Sequence, residues 1–193
     1  MKIEDLKQPE DVFLYLRSKG YTVFDSRPWS LNIIGARRGD GTRDNRMFVI
    51  CKDDSEKIRM WSWSVTTNPG LFWIQSPINQ VDNASLAPGQ YLDCWQFGNY
   101  NGRSALKLAK PVKVYKIVNK SVVLDIEPAS FSDSLYENNF YRSENGSQGS
   151  DKWSAGCQVF LRDSEFRDFL ELCNKQVLAA KSSTFSYTLL EEE

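Results

Sequence analysis

In the stretch KWSAGCQVF, residues 152–160, a cysteine follows a run of small residues and precedes an apolar, strand-like segment. A nucleophile is placed this way. A thiol attacks as its thiolate, and an ordinary thiol, with a pKa of about 8.5, is only a few per cent ionised at neutral pH. Cys157 therefore needs a base or a positive neighbour. Ser154, Ala155 and Gly156 are small enough to let a carbonyl approach the backbone, and the amides there can form an oxyanion hole. The proton acceptor is the difficulty, because none of the 193 residues is histidine. SAGC alone fits a buried structural cysteine at a strand start as well as it fits a catalytic one.

The other groups capable of chemistry are dispersed. Cys51, Cys94 and Cys173 are widely spaced, no C-x-x-C occurs, and without histidine there is no Cys/His zinc set. The chain is long enough to build a core without disulfides, so its cysteines are expected to be free thiols. No metal and no cofactor is expected. RRGDGTRDNR (37–46) contains R-G-D, but its turn composition predicts a charged, glycine-turned loop. With 24 basic and 25 acidic residues the net charge is −1, which argues against nucleic-acid binding through bulk electrostatics. MKIEDLKQPEDVF, at the start of the chain, has no apolar signal-peptide core, and no segment carries the apolar run of a membrane span. The expectation is a cytoplasmic protein with no membrane partner.

Positioning these groups requires a scaffold. A hydrophobic content of 41% and an aromatic content of 13% suffice for one core, read as a single domain over 1–193 with an N-terminal helix within 1–20 and the main body over 21–193. PEDVFLYLRSKG (9–20) predicts an amphipathic helix, with Pro9 at a first helical position and Gly20 as its stop. Residues 46–52 and 57–65 predict two strands around the turn-like DDSE, and 110–126 a hairpin turning at Asn119 and Lys120. TTNPG (66–70) and LAPGQY (86–91) read as loops. The polar loop 143–156 delivers Cys157, and CQVFL follows as a short strand. A helix is expected over 164–178, capped by Asp163 or Ser164, with Phe166, Phe169, Leu170, Cys173 and Val177 on one face. Cys173 on that face reads as core. FSYTLL (185–190) reads as a final strand. Many short strands with two helices predict an α+β, mostly β domain.

The combination of WSAGCQVF with the upstream N-F-Y-R element at 139–142 resembles the L,D-transpeptidase (YkuD-like) catalytic domain. The resemblance is closer to a phage and bacterial subgroup and runs over about residues 12 to 190, through LNIIGARR (31–38), TTNPG, LAPGQY, ALKLAKPVKVYK (105–116), DKWSAGCQVF and FSYTLL. It implies a β-sandwich-like domain with the cysteine at one end of a cleft. Two positions depart from the subgroup. It reads N-I-H-R where this chain has Asn139, Phe140, Tyr141 and Arg142, and G-x-H-x-G where this chain has Gly98, Asn99, Tyr100, Asn101 and Gly102. Both histidines are tyrosines here. A phenol with a pKa of about 10 is roughly one part in a thousand ionised at pH 7, so it donates hydrogen bonds and stacks but is no substitute base.

Two functions follow from the resemblance. In the first, the chain is a catalytically degenerate, phage-associated relative. Cys157, Ser154 and Gly156 then mark the family's catalytic positions, and Tyr141, Tyr100, Arg142, Trp153 and Asn139 line a cleft for a small-molecule or peptide ligand, such as a host metabolite or signal held out of circulation. In the second, Cys157 is an active nucleophile on peptidoglycan stem peptides. Arg142 would then hold a substrate carboxylate or raise the thiolate fraction, with Glu144 or Asp151 as a replacement base. A virion or assembly role on an old enzyme fold is a third reading, with no residue that speaks for it.

Overall fold

The computed structural model describes residues 6–38, 45–67, 85–100, 102–118, 121–127, 139–142 and 157–192. In chain order they form α1 (Pro9–Ser18), β1 (Asn32–Arg37), β2 (Asn45–Lys52), β3 (Ile58–Thr66), β4 (Ser85–Leu86), β5 (Gly89–Tyr100), β6 (Arg103–Leu108), β7 (Val112–Val118), β8 (Ser121–Glu127), β9 (Phe140–Arg142), β10 (Gln158–Phe160), α2 (Asp163–Ala180) and β11 (Thr184–Glu191). The α+β, mostly β reading holds. Among the described residues the strands do not pair as the two stacked sheets of a sandwich. Instead, one sheet closes into a barrel in the order β1-β11-β5-β6-β9-β10-β3-β2, and β4-β7-β8 make a separate three-stranded sheet. Closure leaves the main sheet no open edge. The β1–β11 and β9–β10 pairs are parallel; the other barrel pairs are antiparallel.

Alternation along the strands sorts side chains into two cores. Ile33, Met47, Val49, Trp63, Val65, Trp95, Phe140, Phe160 and Tyr187 turn inward and meet Phe166, Phe169, Leu172 and Cys173 of α2. Ile34, Ala36, Phe48, Ile50 and Leu190 turn outward and are covered by Val12, Phe13 and Leu16 of α1. The buried face of α2 is Phe166, Phe169, Leu172, Cys173 and Gln176, whereas Leu170 and Val177 lie at its margin. Gln176 belongs to this face because it bridges distant backbone: Leu31 N donates to its Oε1 at 3.0 Å, and its Nε2 donates to Thr184 O at 3.0 Å. The N-cap of α2 is Arg162, without a side-chain cap bond, not Asp163 or Ser164.

The predicted α1, the 46–52 and 57–65 strands, the 110–126 hairpin and the final strand all form. Gly20 takes a φ of +75° just past α1, a conformation that glycine adopts without strain. LAPGQY is not a free loop, since Leu86 pairs with Val114 in the small sheet and β5 starts at Gly89. Arg37 is likewise not a loop residue. It ends β1, 3% exposed.

Gly35 is needed for a close approach. A Cβ there would stand 2.7 Å from Cζ of Tyr187 and closer still to its hydroxyl. Tyr187 is itself 1% exposed and anchored by a 2.9 Å bond to Gln158 Oε1, so its ring cannot swing away. Gly35→Ala is expected to cost about 2 kcal/mol or more from overpacking. A urea midpoint that falls at unchanged m-value reads it. Tyr187→Phe supplies the control background, because it removes the hydroxyl that the new Cβ would meet first. An equal loss for Gly35→Ala in the two backgrounds would show that the tyrosine hydroxyl is not what constrains Gly35.

Candidate functional site

Cys157 enters the barrel wall through the parallel pairing of β10 with β9, whose register sets Gln158 against Phe140, Val159 against Tyr141 and Phe160 against Arg142. Gln158 N donates to Asn139 O at 2.9 Å, which brings Cys157 level with Asn139. Phe140, Gln158 and Phe160 turn into the barrel. By the period of two, Asn139, Tyr141, Cys157 and Val159 share the opposite, outer face. Asn139 is fully buried, and its Oδ1 accepts from Leu108 N at 3.2 Å. That bond ties β6 to β9, a pair for which one register contact, Leu106 to Phe140, is made. Asn139 of the N-F-Y-R element thus holds a strand in place.

Tyr100 comes to the same face from another direction. The β5–β6 hairpin pairs Gly98 with Ala105 and Tyr100 with Arg103, and turns at Gly102, whose φ is +75°. The rings of Tyr100 and Tyr141 lie with centroids 4.8 Å apart and planes tilted by 33°. The two positions at which the resemblance places histidines are therefore in contact. An aromatic pair at this separation is worth about 0.5–1.5 kcal/mol beyond its buried area.

Arg142 takes the other side of β9. Its Nη1 meets Asp163 Oδ1 at 2.6 Å, and Arg167 reaches the second oxygen of Asp163 at 3.1 Å. The guanidinium is engaged by the first turn of α2, which favours the ion-pair role over that of a substrate clamp. Trp153, Ser154 and Gly156, with Glu144 and Asp151, lie outside the described residues.

All four cysteines are free thiols, and all are buried. Cys157 is 6% exposed. Burial pushes Cys51 up to about 12, with the nearby Asp53 carboxylate adding to the shift. Burial likewise raises Cys94 and, well above the ordinary range, Cys173. Among the described residues, no cluster of three or more His, Cys, Asp or Glu is arranged to hold a metal ion. No helix there is long and apolar enough to cross a membrane.

The sequence reading missed a buried polar hub at the end of β1. Arg37 Nε donates to Thr67 Oγ1 at 3.2 Å, Nη2 to Thr67 O at 2.8 Å and Nη1 to Leu86 O at 2.9 Å. Desolvation lowers its pKa, opposed chiefly by Glu191, 3.6 Å away. The Tyr91 hydroxyl donates to Ala87 O at 2.6 Å and lies 3.1 Å from Lys113 O, so Arg37 and Tyr91 together fasten the small sheet to the barrel. Burial raises the pKa of both Tyr91 and Tyr187, keeping both phenols protonated. The only signal in the sequence was an arginine ending an apolar run.

Comparison of the chain with known proteins found no matching family model, no matching curated protein and no matching solved structure.

Proposed function

We propose that this chain is a catalytically degenerate, L,D-transpeptidase-like binding protein. It holds a small-molecule or peptide ligand against the face formed by Tyr100, Tyr141 and Cys157. The observation that carries this reading is the Tyr100–Tyr141 contact, 4.8 Å between centroids, on the strand beside Cys157. Two phenols in contact offer a flat apolar wall and hydrogen-bonding hydroxyls, which suit recognition of a ring or a planar amide. They do not suit proton abstraction from a thiol at neutral pH, and the chain has no histidine to do it. The 6% exposure of Cys157 fits a wall position rather than a reactive thiol open to solvent.

The test is to denature the purified protein, identify released small molecules by mass spectrometry, and repeat this with Tyr141→Ala and Tyr100→Ala. A ligand released from the parent and absent from both variants is the expected result. Alkylation by iodoacetamide at pH 7 is expected to be slow at Cys157, with Cys51, Cys94 and Cys173 as internal references. A protein that carries no ligand, alkylates rapidly at Cys157 and cleaves or crosslinks a peptidoglycan stem tetrapeptide would sink the proposal in favour of acyl transfer.

A further inference from the structure

A second site lies elsewhere on the outer surface of the barrel, where the chain leading into α1 passes over β2 and β3. The groove there encloses about 740 Å³. That is the size of a small-molecule site. Its lining is one-sided in charge. Among the described residues, Lys7, Arg38 and Arg46 line it and no Asp or Glu does. Among the described residues, no carboxylate is within ion-pair distance of Lys7 or Arg46. The helix terminus is not the source of the field, since Glu10 and Asp11 already stand in the first turn of α1.

The hydroxyl-bearing wall is set by strand register. Arg46 pairs with Ser64 and Phe48 with Ser62 across the antiparallel β2–β3 ladder, so one cation and two hydroxyls stand on adjacent rungs of the outer face. Asn45 lines the same groove at 1% exposure. Its Oδ1 accepts from Arg38 N at 2.9 Å, while its Nδ2, fully buried, has no hydrogen-bond partner. By the period of two this side chain belongs with Met47 on the inner face, so it braces Arg38 rather than facing the groove. Leu6, Phe48 and Met60 supply an apolar floor beside these polar groups.

We infer that this groove binds a phosphate monoester carrying an apolar or aromatic body. Clustered cations with hydroxyl donors match a dianion with several acceptor oxygens, and a guanidinium fork matches phosphate oxygens in pairs. The floor formed by Leu6, Phe48 and Met60 takes the organic part. This site is independent of the Tyr100–Tyr141 face, and each can fail without the other.

Isothermal titration of the full chain at low salt with phenyl phosphate, inorganic phosphate and benzoate tests it. Phenyl phosphate is expected to bind saturably, about tenfold or more tighter than benzoate, because the monoanionic carboxylate leaves part of the cationic rim unmatched. Arg46→Glu and Lys7→Glu, both at exposed positions, are each expected to weaken phenyl phosphate by about tenfold or more, while Tyr141→Ala leaves it unchanged. Unaltered thermal melting checks that these variants fold. Absence of saturable binding overturns the inference, as does binding that survives both charge reversals. Loss of binding in Tyr141→Ala but not in Arg46→Glu assigns the phosphate to the tyrosine face and also overturns it. Equal affinity for benzoate overturns the phosphate assignment.

Discussion

Arg37→Met is expected to lower the unfolding free energy by about 3–5 kcal/mol, the range for removing one member of a buried charged network. The guanidinium is 3% exposed and satisfies Thr67 O, Thr67 Oγ1 and Leu86 O. Methionine fills similar volume but offers no donor, so two carbonyls and a hydroxyl are left buried and unmatched, at about 1–3 kcal/mol each before relaxation. Glu191 contributes less, since its side chain is 38% exposed and can turn to water. Adding Glu191→Gln to Arg37→Met should therefore recover little of the loss. Arg37→Lys should recover little as well, because a point ammonium cannot span three acceptors placed for a planar fork. Urea unfolding followed by tryptophan fluorescence reads the free energies. Hydrogen exchange gives a second, local signature: Ala87 N, bonded to Lys113 O at 2.9 Å, should exchange faster as the small sheet loosens from the barrel. A loss below about 1 kcal/mol would falsify the account of Arg37 as the fastening between the two sheets.

Trp95→Ala is the second large effect, expected at about 3–5 kcal/mol. Trp95 is fully buried. It meets Tyr91, Phe140 and Tyr187 edge-on, at centroid separations of 6.0, 5.3 and 5.5 Å. Alanine leaves a cavity bounded by rigid rings that cannot collapse into it, which places the cost towards the upper part of that range. Trp95→Phe keeps most of the contact and should lose less than half as much. The consequence reaches the tyrosine face through Phe140. β9 is three residues long and joins β6 through little register pairing, so its position depends on Phe140 being held between Trp95, Tyr187 and Phe169. Tyr141 follows Phe140 directly. At a temperature where Trp95→Ala remains folded, any ligand of the kind proposed for the tyrosine face should bind more weakly than in Trp95→Phe. Equal occupancy in the two variants would uncouple the core from that face.

Some of this architecture was written in local pattern. The 3.6-residue period of Val12, Phe13 and Leu16, with Pro9 before and Gly20 after, determined α1. The apolar spacing along 164–178 determined α2 almost to its ends. Alternation around DDSE determined the β2–β3 hairpin, and a chain long enough to build a core gave the expectation of free thiols. These signals are legible because each is carried by neighbours in sequence. β1 escaped the same reading because all six of its residues are buried, one face against the barrel interior and the other against α1, so no alternation appears. Gln176 was missed on α2 because its partners, Leu31 and Thr184, lie in other elements.

What only the tertiary structure decided is the sidedness of the chain. Barrel closure turned Arg37, in a stretch that reads as a charged loop, into a buried hub. The parallel β9–β10 register put Cys157 level with Asn139, and the β5–β6 hairpin carried Tyr100 onto Tyr141. Neither follows from spacing, because pairing between strands distant in sequence is selected by how the whole sheet closes and which face each strand can bury. Residue types along the chain named the groups that could do chemistry, and closure of the sheet chose which of them meet.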